Sequence, residues 1–353
     1  MPIRLKKAIQ FIKNENLDAL LLNSVANISY ICGFSCPDSF LIIGTNKAVL
    51  ITDSRYTADF KKKAPSSITV AELKTSIFDT IVQTIKKQNI KKIGFESRHL
   101  TFAECEILHK LAGKTIKFSP LKTTLEPLRE IKEACEIKLI KHAITITQKT
   151  YSFIQKILKT GLKELEIAAE IERFVRLQGA SKTAFETIVA SGPNASFPHA
   201  CVSERIIKKG EPIIIDIGVE YQGYKCDLTR TFFLGKINPV IHKAYQAVCE
   251  AQQEAISKIK HGALIKDIDL AARNYLKQKG LEKFFIHSLG HGIGLEVHES
   301  PSINKKNNSR LQAGTILTIE PGIYVAGHYG IRIEDMVLVT SNGSEVLSGN
   351  NRY

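Results

Sequence analysis

The chain has 353 residues, 44% hydrophobic and 24% charged, the profile of a soluble globular protein long enough for two domains. Its 49 Lys and Arg against 35 Asp and Glu leave a formal net charge of +14, which raises the question of an anionic partner. No apolar run approaches the roughly 18 to 20 residues of a membrane span, no secretory h-region follows the charged amino terminus, and the seven scattered cysteines lack the spacing of a disulfide framework or zinc site, so a cytoplasmic location with reduced thiols is expected.

Leu5, Ala8, Ile9 and Ile12 recur at helical spacing and predict a first helix. Apolar runs at 19–22, 40–43, 48–51 and 92–95 read as strands, with an amphipathic helix over 76–87. The first third is thus a small α/β domain. It holds 19 basic residues against 10 acidic, a net +9, leaving +5 for the remainder. A polar stretch at 119–124 precedes Leu125-Glu126-Pro127, and a long helical pattern follows through Ile131, Ala134, Ile137, Ile140 and Ile144. The boundary is placed there, giving domains 1–125 and 126–353.

The second region carries a weak internal repeat. Segments 161–179 and 262–280 are both bounded by glycines, and Ile167, Phe174 and Val175 match Ile268, Tyr275 and Leu276. Downstream, the strand ending in Ile215-Asp216-Ile217-Gly218 resembles Ile319-Glu320-Pro321-Gly322, and the following strand aligns Asp227 with Glu334. With Gln222-Gly223 as a two-residue turn, Asp216 faces Thr229 and Asp227 faces Gly218. The two acids are then diagonal neighbours about 7 to 8 Å apart, and the second hairpin is expected to repeat this arrangement with Glu320 and Glu334. Buried carboxylates so close repel each other unless a cation sits between them. His291, in Gly290-His291-Gly292-Ile293-Gly294, supplies a nitrogen ligand among small neighbours. Four carboxylates and one imidazole suit two divalent ions, Mn first, then Co or Fe, in preference to Zn.

These residues resemble the pita-bread (M24, methionine aminopeptidase-like) metallopeptidases and within them the Xaa-Pro branch, aminopeptidase P and prolidase. The strings carrying the resemblance are those around Asp216, Asp227, His291, Glu320 and Glu334, with Asp53-Ser54-Arg55-Tyr56 and Asn27-Ile28-Ser29-Tyr30-Ile31-Cys32-Gly33-Phe34 in the first domain. The resemblance implies an α+β fold in which a creatinase-type amino-terminal domain precedes a pseudo-twofold catalytic domain. It also implies that Asp216 holds one metal and His291 and Glu320 the other, that Asp227 and Glu334 bridge, and that Glu320 handles the proton of a metal-bridging hydroxide. His199 and His298 take the roles of the histidines beside the scissile bond, His287 lines the pocket for proline, and Arg332 orients Glu334 or the substrate. A homodimer is implied as well.

The activity expected from this set is Xaa-Pro aminopeptidase, on peptides with proline at the second position. The dipeptidase is the nearest alternative, because an abundance of Lys and Arg leaves a carboxylate-binding group possible. A catalytically silent binding module is the reading from another class. All five ligand positions are filled, and the basic residues lack the aromatic interleaving of a base-stacking surface, so no nucleic-acid or membrane partner is expected.

Overall fold

The structure is a computed structural model and describes residues 2–349. The chain divides into two compact units, one ending at Arg129 and the other beginning at Glu130. In the first, α1 (Ile3–Asn14), β1 (Ala19–Leu22), α2 (Val25–Cys32), β2 (Phe40–Gly44), β3 (Ala48–Thr52) and α3 (Ser54–Lys63) lead into β4 (Ile68–Glu72) and α4 (Ile77–Lys87). β5 (Lys92–Glu96), α5 (Phe102–Ala112) and β6 (Lys117–Leu121) complete its six-stranded sheet, ordered β4-β3-β2-β1-β5-β6, and α6 (Glu126–Glu130) closes the segment. The four strands read from apolar runs lie at its centre and are almost wholly buried. Those read as polar or not at all, β4 and β6, are the half-exposed edges, where Ile68 and Phe118 are the only buried residues.

The second unit opens with α7 (Ala134–Ile157), so the helix begins after Ile131, which forms an isolated antiparallel bridge with Thr315 instead. α8 (Glu164–Leu177), β7 (Lys182–Thr183), β8 (Ile188–Ser191), β9 (Pro212–Tyr221) and β10 (Tyr224–Phe233) form the first half. The second contains α9 (Pro239–Ser257), α10 (Ile265–Gln278), β11 (Gly290–Gly292), β12 (Glu299–Ile303) and β13 (Ile316–Ile319). It continues through β14 (Gly322–Val325), β15 (Tyr329–Arg332), β16 (Asp335–Val339) and β17 (Ser344–Val346). Each half therefore supplies two helices followed by antiparallel strands, and α8 and α10 are both 14 residues long, as the repeat suggests.

The first hairpin has the register read from its turn: Asp216 pairs with Thr229 and Asp227 with Gly218. The second half departs from it. Pro321 lacks an N–H and interrupts the strand, so β13 pairs with β16 while the hairpin β14–β15 forms a separate two-stranded sheet. Continuing one step past the pair Ile319–Asp335 sets Glu320 directly opposite Glu334, not diagonal to it as expected by analogy with the aspartates.

Both acid-bearing strand pairs are gripped from behind by the first helix of their own half. The Tyr151 hydroxyl of α7 is 3.0 Å from the Ile215 carbonyl and 2.6 Å from that of Leu228. Gln252 of α9 donates its amide to the carbonyls of Ile319 and Ile333 at 3.0 and 3.3 Å. Both side chains are buried, and each holds backbone that adjoins an acid.

Candidate metal centre

The acids and His291 converge. Asp227, His291 and Glu334 each offer a ligand atom within 4.8 Å of the others, and His291 Nε2 is 3.6 Å from both Asp227 Oδ2 and Glu320 Oε1. The His291 Nδ1 lies 3.0 Å from the Gly292 carbonyl. That oxygen only accepts, so Nδ1 carries the proton and Nε2 presents a lone pair to the carboxylates. The backbone approach is as close as the glycines suggest: a Cβ on Gly292 would sit 2.0 Å from the Ser300 carbonyl oxygen.

The residues fit a divalent centre on a direct observation. Asp216 Oδ1, Asp227 Oδ1 and Glu334 Oε1 are buried with no hydrogen-bond partner, a costly condition that cations relieve. Burial pushes Asp227 and Glu334 well above the ordinary carboxylate range, and the neighbouring carboxylates push them further. Glu320 is raised to about 8, first by burial and then by Asp216 against the pull of Arg332. Without cations these groups hold protons where metal ligands would be ionised.

Arg332 is buried and spends its guanidinium on several partners. Nη2 donates to Asp216 Oδ2 at 2.7 Å, Nε to Thr229 Oγ1 at 3.0 Å, and Nη1 to the Tyr324 hydroxyl and the Pro198 carbonyl. It thus orients Asp216, and reaches Glu334 only through Thr229, whose hydroxyl donates to Glu334 Oε2 at 2.9 Å. Ile333 and Glu334 lie outside the strands between β15 and β16, yet Arg332 and Glu334 meet at the same Thr229 hydroxyl.

The other histidines gather around the same arginine. His199 follows Pro198, whose carbonyl Arg332 holds. His287 Nε2 lies 3.1 Å from the Tyr324 hydroxyl, and its pKa is lowered to about 4 by burial and then by Arg332, with Arg273 and His199 adding to the effect. His298 packs edge-on against His291 with ring centroids 4.4 Å apart. Its pKa is lowered by burial and by His199. His291 is lowered to about 4, mainly by burial. His287, His291 and His298 are therefore biased towards the neutral form.

Sequence reasoning passed over Tyr324, which joins Arg332 to His287, and Thr229, which joins Arg332 to Glu334. Thr229 was legible as the register partner of Asp216; Tyr324 depends on the second hairpin, which no pattern announced. Cys226, buried beside Asp227, turns its Sγ to the Thr147 hydroxyl at 3.2 Å, away from the ligand set.

Comparison with known proteins decides the family. The model of metallopeptidase family M24 matches residues 138–341, and that of the creatinase/prolidase N-terminal domain matches 4–131. The chain belongs to metallopeptidase family M24. An Xaa-Pro dipeptidase of Pyrococcus horikoshii is 36% identical over 351 residues, covering 99% of this chain and 97% of the relative. An Xaa-Pro dipeptidase structure from Bacillus anthracis superposes with a TM-score of 0.95 at 33% identity, covering 99% and 98% of the two chains. An X-Pro aminopeptidase structure from Thermotoga maritima gives 0.90 at 35%, covering 98% and 99%. The M24 chain thus has the creatinase-type domain and the pita-bread domain expected of it, and among its described residues no helix is long and apolar enough to cross a membrane.

Proposed function

We propose that this M24 metallopeptidase is an Xaa-Pro dipeptidase whose site is built from Asp216, Asp227, His291, Glu320 and Glu334. The observation that carries the metal-dependent chemistry is the set of buried, partnerless carboxylate oxygens beside a lone pair of His291. The preference for dipeptides rests on the names of the relatives, which include dipeptidases of Pyrococcus horikoshii and Bacillus anthracis, and it reverses the aminopeptidase preference drawn from sequence. The aminopeptidase remains the second reading, favoured by the Thermotoga maritima relative.

When bound, two divalent cations, Mn in this reading, polarise the scissile carbonyl and acidify the attacking water. The five ligand residues would hold them, and Arg332 fixes the angle of Asp216. A carboxylate oxygen of Glu320 takes a proton from the water and returns it to the prolyl nitrogen as the C–N bond breaks. His298, neutral by virtue of its lowered pKa, donates an N–H to the developing oxyanion. His199 steadies the substrate near the bond, and His287, held by Tyr324, lines the proline pocket. A homodimer in the cytoplasm belongs to the same reading.

A ladder of Xaa-Pro dipeptides and longer Xaa-Pro peptides tests it. The expected result is a kcat/KM for dipeptides at least about tenfold above that for tripeptides; the opposite ratio establishes the aminopeptidase.

A further inference from the structure

A buried ion pair unrelated to the ligand set lies behind the His298 loop. Lys132 Nζ donates to Glu299 Oε2 at 3.0 Å, with side-chain exposures of 1% and 5%, across 167 residues of sequence. Glu299 immediately follows His298. Its carboxylate also accepts the Glu296 N–H at 3.1 Å and lies so close to Gly294 that a Cβ there would be 2.8 Å from Oε2. The turn between His291 and His298 is therefore folded around the Glu299 carboxylate. Its backbone is tied to the first half of the repeat as well, because Lys225 N donates to the Gly294 carbonyl at 2.8 Å.

Lys132 is itself pinned. Its N–H donates to the Gly314 carbonyl at 2.9 Å, and the preceding residue bridges to Thr315, directly ahead of the strand that leads to Glu320. One residue thus ties the segment leading to a ligand carboxylate to the loop carrying a histidine of the site. Burying two charges is expensive and gives no reliable gain in stability over an apolar pair, so the arrangement is better explained by the geometry it enforces. His298 is the bend residue that leads directly into β12, so fixing the Glu299 side chain at the first position of that strand restricts the backbone from which His298 projects.

We infer that Lys132 is a positioning residue for the peptidase reaction, acting through Glu299 to hold His298 against the reacting carbonyl. This rests on the proposed role of His298.

The experiment compares wild type, Lys132→Met, His298→Ala and the double variant, all metal-loaded, on an Xaa-Pro dipeptide. Metal content and hydrogen exchange of residues 294–303 are measured alongside. Lys132→Met should lower kcat by about 10- to 100-fold, within the range seen when supporting contacts or oxyanion donors are lost, with KM within about threefold and metal content unchanged. In the double variant kcat should match that of His298→Ala within about threefold, since a residue acting through His298 has nothing left to position. Exchange should rise in 294–303 and stay at the wild-type level in the hairpin 212–233. If Lys132→Met does not fold, Glu299→Gln, which keeps the shape and the acceptor for Glu296, is run through the same cycle. Losses that multiply in the double variant, wild-type kcat in Lys132→Met, or unchanged exchange in 294–303 overturn the inference. A wild-type protein that cleaves no Xaa-Pro peptide overturns the functional reading instead, and the exchange result then decides whether Lys132 anchors the loop.

Discussion

Among the described residues, two groups of acids and a histidine come within coordinating distance: Glu96, His99 and Glu126 in the first unit, and Asp227, His291 and Glu334 in the second. In the first, Glu96 is saturated with donors, accepting from the N–H groups of Asn23 and Ser24 at 2.6 and 2.8 Å and from the Asn27 amide and Thr124 hydroxyl. Burial works against the charge of Glu126, yet the backbone N–H groups of Thr124 and Glu126, the Asn27 amide and Arg129 hold its pKa below the usual range. In the second group, burial and mutual repulsion drive the carboxylates up, and oxygens of Asp227 and Glu334 have no partner. Proximity of acids is common to both. Unmet hydrogen-bonding capacity separates the candidate metal centre from a cluster that the fold has already satisfied.

The largest expected effect breaks the second group. Asp227→Asn or Glu334→Gln should lower kcat/KM by more than about 100-fold, beyond the upper end for supporting contacts, and should lose bound metal in parallel by elemental analysis. Full activity without metal would refute the site.

The second concerns protons. In the metal-free protein, Asp227, Glu320 and Glu334 titrate above their unfolded values, Glu320 at about 8. Above the unfolded pKa the folded form binds more protons than the unfolded one, so metal-free stability falls as pH rises towards the folded pKa. Cations replace those protons. Calorimetric scans should therefore show a larger Tm gain from metal at about pH 8 than at about pH 5.5, and an equal gain at both would contradict the assignment.

Glu96→Gln sharpens the comparison from the other side. Replacing an ionised acceptor of several hydrogen bonds should cost about 1 to 3 kcal/mol of stability by denaturant unfolding, with the metal content and kcat/KM of the folded protein unchanged. The smallest effect is expected for Tyr324→Phe, which removes the hydroxyl shared by Arg332 and His287. A loss of about 1 kcal/mol, five- to tenfold in kcat/KM, is expected in steady-state assays.

The central strands, the first hairpin and its register were legible because buried strands are continuous apolar runs and Gln222-Gly223 fixes the pairing. The four acids of the candidate site were legible because a repeat places acids at matching positions of its two halves, and His291 because it stands among glycines. The half-exposed edge strands β4 and β6 escaped because their pattern mixes polar and apolar residues. The second hairpin escaped because Pro321 ends one ladder and starts another, so the symmetry of the halves is broken where it was used to place Glu320 and Glu334. Contacts such as Lys132 with Glu299 and Arg332 with Asp216 span more than a hundred residues and leave no local signature.

The most direct test titrates the metal-free protein with Mn while following hydrolysis of an Xaa-Pro dipeptide. The account predicts activity that rises with occupancy and saturates at two ions per chain, with both binding and activity lost in Asp227→Asn. Hydrolysis at full rate with no ion bound, or binding that Asp227→Asn leaves intact, would contradict it.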